Sequence, residues 1–262
     1  MKKIEAVILD WSGTIIDYGC MATEEIYRDI FKEFSIELTT KEIRAKMGIE
    51  KVDHIRAIIE SDRVSKLWLK NTGMEPNEGD VRELNRHFEE KIFDKLEKYC
   101  QPKEYVKQAI ETLRESGIRI GSTTSYSTEV MEFLTKLVAK KGLIIDCWIN
   151  ADQVNGQGRP NPYMIFKNME KMGVSSVHNV IKVGDTVNDI KEGYNAGVVT
   201  VGVIDGSSEI GLSQAEFDTL SEEDKKATRK RVADKFKKAG ANYIMNDFRT
   251  LPYIVAQIEN KK

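Results

Sequence analysis

A doubly wound, Rossmann-like parallel α/β sheet with an inserted α-helical segment is the fold class the sequence predicts, on three observations. Short, nearly continuous apolar runs recur and mostly end in small or acidic residues, as strands buried on both faces do. From about residue 103 onward these runs alternate with helical patterns, the order of a parallel sheet with crossover helices. Residues 18 to about 100 break the alternation and read as helix after helix.

The first run, IEAVIL (4–9), leads to Asp10, with Gly13 in the turn beyond. The helical segment follows as ATEEIYRDIFKEF, TKEIRAKMG, KVDHIRAIIESDRVSKLWLKNTG and EGDVRELNRHFEEKIFDKLEKYC. Further strands are expected at IRIGSTT (118–124), IIDCWIN (144–150), NVIKVGD (179–185) and VVTVGV (198–203). Between them VKQAIETLRESG, TEVMEFLTKLVAKKG and NDIKEGYNAG carry helical periodicity, each closed by Gly at a C-cap position. The tail 219–241 reads as a charged amphipathic helix with a solvated face, before a short strand NYIM and a closing helix.

Composition narrows the function classes. With 262 residues and 40% hydrophobic content, the chain can bury one full core and a smaller second one. Lys+Arg at 40 against Asp+Glu at 42 leaves a formal charge of -2, and the charges are interspersed, so no footprint for nucleic acid exists. No apolar run approaches the roughly 20 residues of a membrane span, and MKKIEAVILDW lacks a signal-peptide apolar region. The expectation is a cytoplasmic protein without membrane contact. Cys20, Cys100 and Cys147 are widely spaced, as are His54, His87 and His178, which supports neither a disulfide framework nor a zinc site.

Ligands of open parallel sheets bind beyond the carboxyl ends of the strands, so the residues ending the runs form one candidate site: Asp10, Ser12, Thr123, Thr124, Lys182, Gly184, Asp185 and Asp189. Two carboxylates converging there need a cation or a shared proton. Oxygen ligands favour Mg2+, held by Asp10, Asp185 and a carbonyl of the 10–14 turn. Thr124 and the backbone N–H groups after it open a helix, a place that favours an anion, and Arg159 can add a fixed positive charge. Taken singly, each has a plainer reading: Asp10 or Asp185 as a turn or cap residue, GDTVND as a helix start, Arg159 as an exposed arginine before proline.

The set, in its order, resembles the haloacid dehalogenase superfamily, whose members carry DxxGT at the first strand, Ser/Thr at the second, Lys or Arg further on, and GDxxxD near the fourth. The matching residues are Asp10 to Thr14 in DWSGT, Thr124 in GSTTSYS, Arg159 in GRPNP, and Asp185 with Asp189 in GDTVND. The resemblance implies that Asp10 is a nucleophile forming an aspartyl-phosphate. It also implies Mg2+ held by Asp10, the Ser12 carbonyl and Asp185, with Asp189 as an outer carboxylate. Residues 1–18 and 100–262 would then form the α/β core, and 19–99 a mobile helical cap.

Phosphatases of this superfamily generally place a second Asp two residues after the nucleophile, where this chain has Ser12, a poor general acid. In the helical segment, MGIEKVDHIRA puts Lys51 and His54 three apart, on one helical face. A lysine amine can condense with an aldehyde and give an electron sink for the carbon freed when a carbon–phosphorus bond breaks. A plainer reading is an exposed helix lysine. Against it stands a long resemblance to the phosphonoacetaldehyde hydrolase family, through AVILDWSGTIIDYGC, MGIEKVDHIRA, IGSTTSYS, GRPNPYM, IKVGDTVNDIKEGYNAG and TVGVIDGSSEIGL. By that resemblance Lys51 matches the Schiff-base lysine, while Met47, His54, Cys20 and Tyr126 match residues lining the closed site, and Thr124, Ser125 and Arg159 contact the substrate. A small phosphonate as partner and a homodimer through cap helices are also implied.

The match has departures. Ser12 stands where alanine is usual, Ile15 where threonine is common, and Ser125 where glycine often follows the threonine. Ser12 could hold a water near Asp10, and Ser125 could reshape the pocket floor. Two other readings therefore stay open: a phosphomonoester phosphatase with Lys51 a bystander, and a weakly active metabolite-binding member.

Overall fold

The computed structural model describes residues 3–260. The outermost residues of the segments 1–18 and 100–262 lie outside the described residues. β1 (Ala6–Leu9) is buried along its whole length, as its four consecutive apolar residues require. After it the chain runs into helices α1 (Met21–Lys32), α2 (Thr40–Arg44), α3 (Lys51–Ile59), α4 (Asp62–Thr72) and α5 (Glu78–Tyr99), all before the second strand. The continuous helical pattern from 51 to 73 becomes two helices. Ser61 takes an extended conformation (φ -66, ψ 145) and its hydroxyl donates to the Ile58 carbonyl at 2.7 Å, an alternative to helix that serine readily offers.

The remaining elements alternate. They are α6 (Val106–Glu115), β2 (Arg119–Thr124), α7 (Thr128–Ala139), β3 (Cys147–Asn150), α8 (Tyr163–Met172), β4 (Val180–Gly184), α9 (Val187–Ala196) and β5 (Val199–Val203). α10 (Gln214–Thr219), α11 (Glu222–Ala239), β6 (Tyr243–Met245) and α12 (Leu251–Asn260) complete the described chain. α8 and α10 were not among the patterns read from the sequence. β3 starts later than its apolar run: the exposed Asp146 carboxylate accepts from the Ile120 amide at 2.8 Å, and Ile144 stays 58% exposed.

The sheet has six strands in the order β3-β2-β1-β4-β5-β6, and all its pairs are parallel. β1 is flanked by β2 on one side and β4 on the other, so the order reverses there. The crevice at such a switch point opens beyond the carboxyl end of β1, where Asp10 follows Leu9.

The chain enters the helical insertion through Asp17, Gly19 and Cys20, whose φ values are 50, 84 and 56. Positive φ at Asp and Cys is uncommon, and hydrogen bonds hold it here. Asp17 accepts from the Met21 amide at 2.9 Å and the Ala22 amide at 3.2 Å, stabilising the start of α1. The chain returns beside this entry, where Pro102 bridges to Ile16. α5 packs on α1 and α3 and also leans on α7, with the Phe93 and Phe133 rings edge to face at 5.2 Å.

Candidate active site

Asp10, Ser12, Cys20, Thr23, Met47, Gly48, Lys51, Thr124, Ser125, Tyr126, Arg159, Asp185, Thr186 and Ser208 line one cavity between the sheet's carboxyl edge and the insertion. Asp10 and Asp185 each follow the last residue of one of two adjacent parallel strands, β1 and β4, so their carboxylates meet at the same edge of the sheet. Thr14 Oγ1 stands between them, 3.2 Å from Asp10 Oδ2 and 3.1 Å from Asp185 Oδ1. Gly13 is required here by contact as well as by its φ of 79, since a Cβ would lie 2.2 Å from Asp185 Oδ2.

Charge is divided sharply across the floor. Arg159 is buried and donates to Asp10 Oδ1 at 2.7 Å, to the Thr123 carbonyl at 2.7 Å and to Glu192 Oε2 at 3.1 Å. Burial works against its cation, but Asp189, Asp10 and Glu192 together hold the guanidinium protonated well above its ordinary range. Lys182, fully buried one layer down, pairs with Asp189 at 3.0 Å and Glu192 at 3.1 Å and donates to Thr123 Oγ1 at 2.7 Å. It stabilises the floor and does not line the cavity, unlike the other positively charged candidate, Arg159.

Asp189 is thereby committed to the protein's own cations, which keep its carboxyl below the usual range against the effect of burial. It also closes a capping box with Thr186, whose hydroxyl donates to Asp189 Oδ2 at 2.6 Å. The helix-start reading of GDTVND and the site reading are thus both met by the same residues. Asp185 forms no such ion pair among the described residues. Burial, then the charges of Asp10 and Asp189, push its carboxyl well above the ordinary range, while the Ser208 backbone N–H, 2.7 Å away, and the charge of nearby Lys103 pull the other way.

Oxygen atoms of Asp10, Asp185 and Asp189 lie within 4.8 Å of one another. An all-oxygen set with one carboxyl forced up by burial and its acidic neighbours is what a hard divalent cation relieves, so these residues fit such a cation. Asp10 and Asp185 face the cavity as direct ligands would, while Asp189 is occupied from behind.

The insertion supplies the roof. Lys51 begins α3, and its amine sits 5.1 Å from the centre of the Tyr126 ring and 5.7 Å from that of Phe88, with no ion-pair partner among the described residues. Burial pushes the Lys51 amine below its ordinary range, and Glu50, Cys20 and Asp10 oppose that shift. Tyr126 shares a 2.8 Å hydrogen bond with the Ser12 hydroxyl. Cys20 is buried near Asp185, and burial holds its thiol in the neutral form. Thr124 ends β2 and its hydroxyl accepts from the Tyr126 amide at 3.1 Å.

His54 is the expected site residue that the fold does not bring to the cavity. One turn beyond Lys51, it is fully buried inside the insertion, with its ring 4.5 Å from that of Tyr27 and Nε2 2.6 Å from the Ile43 carbonyl. The first turn of α3 abuts the core, whereas the next turn already faces α1, so residues sharing a helix face reach different surroundings. Thr14 was named only as the end of the DWSGT motif, and Glu192 and Ser208 were not among the candidates. Glu192 carried a signal, since it follows Asp189 by three residues and so shares its helix face. Ser208 carried none, because it acts through its backbone.

The family model described as haloacid dehalogenase-like hydrolase matches residues 7–203. A phosphonoacetaldehyde hydrolase of Lysinibacillus sphaericus is 42% identical over 99% of this chain and 96% of its own. A bifunctional phosphonoacetaldehyde hydrolase/aminoethylphosphonate transaminase of Clostridioides difficile is 44% identical over 99% of this chain, which spans 41% of that longer protein. Among solved structures, a phosphonoacetaldehyde hydrolase-like protein from Oleispira antarctica superposes with a TM-score of 0.94 at 31% identity, covering 99% of this chain and 95% of that one.

Proposed function

Given that the chain belongs to the haloacid dehalogenase-like hydrolases and, within them, to the phosphonoacetaldehyde hydrolase family, we propose that it cleaves the carbon–phosphorus bond of phosphonoacetaldehyde. The products are acetaldehyde and phosphate. One observation carries this reading: a lysine amine, unpaired and depressed by burial, faces the same cavity as a strand-end aspartate. A phosphatase has no use for a neutral, nucleophilic amine, whereas an aldehyde substrate does.

In the proposed sequence the Lys51 amine adds to the aldehyde carbon and water leaves, giving an iminium. An oxygen of Asp10 then attacks phosphorus, and the electron pair of the carbon–phosphorus bond moves into the iminium to form an enamine. Protonation at carbon and addition of water release acetaldehyde and restore Lys51. A second water attacks phosphorus on the Asp10 acyl phosphate and frees phosphate. Arg159 fixes the Asp10 carboxylate and adds charge beside the transferring group, and Thr124 and Ser125 offer hydroxyl and backbone donors there. Asp10, Asp185 and the Ser12 carbonyl would hold Mg2+, which when bound screens the nucleophile from an anionic phosphonate.

The proposal includes residues 19–99 acting as a cap that opens for substrate and closes the cavity during reaction, on a core of 1–18 and 100–262. A cytoplasmic homodimer joined through cap helices belongs to the same reading. No helix among the described residues is long and apolar enough to cross a membrane.

Turnover of phosphonoacetaldehyde beside a panel of phosphomonoesters tests the proposal. Acetaldehyde release from the phosphonate at rates far above any ester hydrolysis is expected. Ester hydrolysis with no acetaldehyde would instead favour the phosphatase reading, whose one structural support is the Ser12–Tyr126 hydroxyl pair beside Asp10.

A further inference from the structure

Arg44 ends α2 in the insertion, and its guanidinium touches three parts of the molecule. Nη2 pairs with Glu24 of α1 at 2.5 Å and donates to the Gly19 carbonyl of the entry segment at 3.0 Å. Nη1 crosses to the core and donates to the Ser208 carbonyl at 2.8 Å. Ser208 is the residue whose backbone N–H binds Asp185 Oδ2 at 2.7 Å. A half-buried side chain of the insertion therefore holds, through one backbone residue, the carboxylate that faces the cation position.

The loop is built for this contact. A Cβ on Gly211 would lie 3.0 Å from Arg44 Nε, and a Cβ on Gly19 would lie 2.2 Å from the Leu212 carbonyl. Gly19 also donates its N–H to the Gly206 carbonyl at 2.7 Å. Nearby, the insertion meets the turn after Asp185 a second time, where Asn188 donates to the Met47 carbonyl at 2.9 Å. Moving the insertion away from the core must break the Arg44–Ser208 bond, freeing the segment that aims an N–H at Asp185.

We propose that Arg44 is a positioning residue that couples closure of the insertion to the geometry of Asp185, so that divalent-cation binding and closure strengthen each other. The inference rests on the proposed Mg2+ site and on movement of the insertion, but not on the identity of the substrate. Linkage makes the coupling reciprocal: what Arg44 adds to Mg2+ affinity, Mg2+ adds to the closed state.

Calorimetric titration of the substrate-free protein with MgCl2 at constant ionic strength tests it. Arg44→Ala is expected to weaken Mg2+ binding by about 5- to 20-fold, within the usual range of coupling between sites. Arg44→Lys, with one point donor in place of a fork, should recover part of the loss. Glu24→Gln removes the ion pair but leaves the Ser208 contact, and should keep nearly the parental affinity. Mg2+ should also slow tryptic cleavage of the insertion in the parent protein and have little effect in Arg44→Ala.

Equal Mg2+ affinity in the parent and Arg44→Ala would overturn the coupling while leaving the cation site intact. Equal weakening by Glu24→Gln would reduce Arg44 to a structural residue. If Arg44→Ala fails to fold, Arg44→Lys against Glu24→Gln gives the same comparison. No Mg2+ binding by the parent protein would sink both this inference and the cation site.

Discussion

Arg159 Nη2 lies 2.7 Å from Asp10 Oδ1, and the same nitrogen donates to the Thr123 carbonyl at 2.7 Å. The carboxylate proposed as the nucleophile is thus tied to the end of the neighbouring strand, which fixes its rotation. Its second oxygen, Oδ2, is left to Thr14 and the cavity. An oriented carboxylate, and not an acidic residue in general, is what the site offers.

Asp10→Asn keeps the size and most of these contacts but removes nucleophilicity. Turnover should fall by at least about three orders of magnitude, as for other essential nucleophiles, while circular dichroism stays unchanged. Retention of a tenth of the parental rate by a sequence-verified sample would exclude Asp10 as the nucleophile.

Asp185→Ala deletes one of two cavity-facing carboxylates and should raise the Mg2+ concentration for half-maximal activity by about tenfold or more. Chelation should abolish turnover in the parent protein, and added Mg2+ should restore it. Undiminished activity after exhaustive chelation would remove the metal from the mechanism.

Lys51 separates carbon–phosphorus cleavage from ester hydrolysis on the same floor. Borohydride added with phosphonoacetaldehyde should inactivate the protein irreversibly, with the adduct mapped to Lys51, whereas borohydride alone should do little. Lys51→Arg keeps the charge over Tyr126 but cannot form an imine, so turnover should drop by at least about 100-fold. Normal turnover by this variant, or an adduct on another lysine, would refute the imine.

His54 gives a test on stability. Burial, with a contribution from Lys51, lowers its pKa to about 3, so the folded ring stays neutral where the unfolded ring takes a proton. Its contribution is therefore complete above pH 6.5 and is lost as pH falls toward 3. Between pH 7 and 5 it should remove about 2 kcal/mol, at 1.36 kcal/mol per unit below 6.5. Asp17 and Glu50, whose carboxyls burial raises to about 7, act in the opposite sense, gaining stability by protonation over the same interval. The difference between the parent and His54→Gln in urea unfolding at pH 5 and pH 7 isolates the histidine. A difference that does not change with pH would contradict the buried neutral ring.

Much of this protein is determined by sequence alone, because its strands are buried on both faces and so appear as apolar runs whose ends are marked by chemistry. Asp10, Thr124 and Asp185 were legible for that reason, and the helical insertion for its 3.6-residue periodicity. The break at Ser61 was hidden, since a serine within a helical pattern signals no choice between helix and cap. Lys51 was legible as a candidate only through family resemblance; the aromatic rings of Phe88 and Tyr126 around its amine come from distant parts of the chain. Tertiary structure alone showed how the two buried cations divide, with Arg159 reaching Asp10 and Lys182 lying one layer below it. It also separated His54 from Lys51, since their shared helix face crosses from the cavity into the interior of the insertion within one turn. Finally, it gave Ser208 its part: a backbone N–H has no residue-specific signature, and only the folded loop brings this one to Asp185.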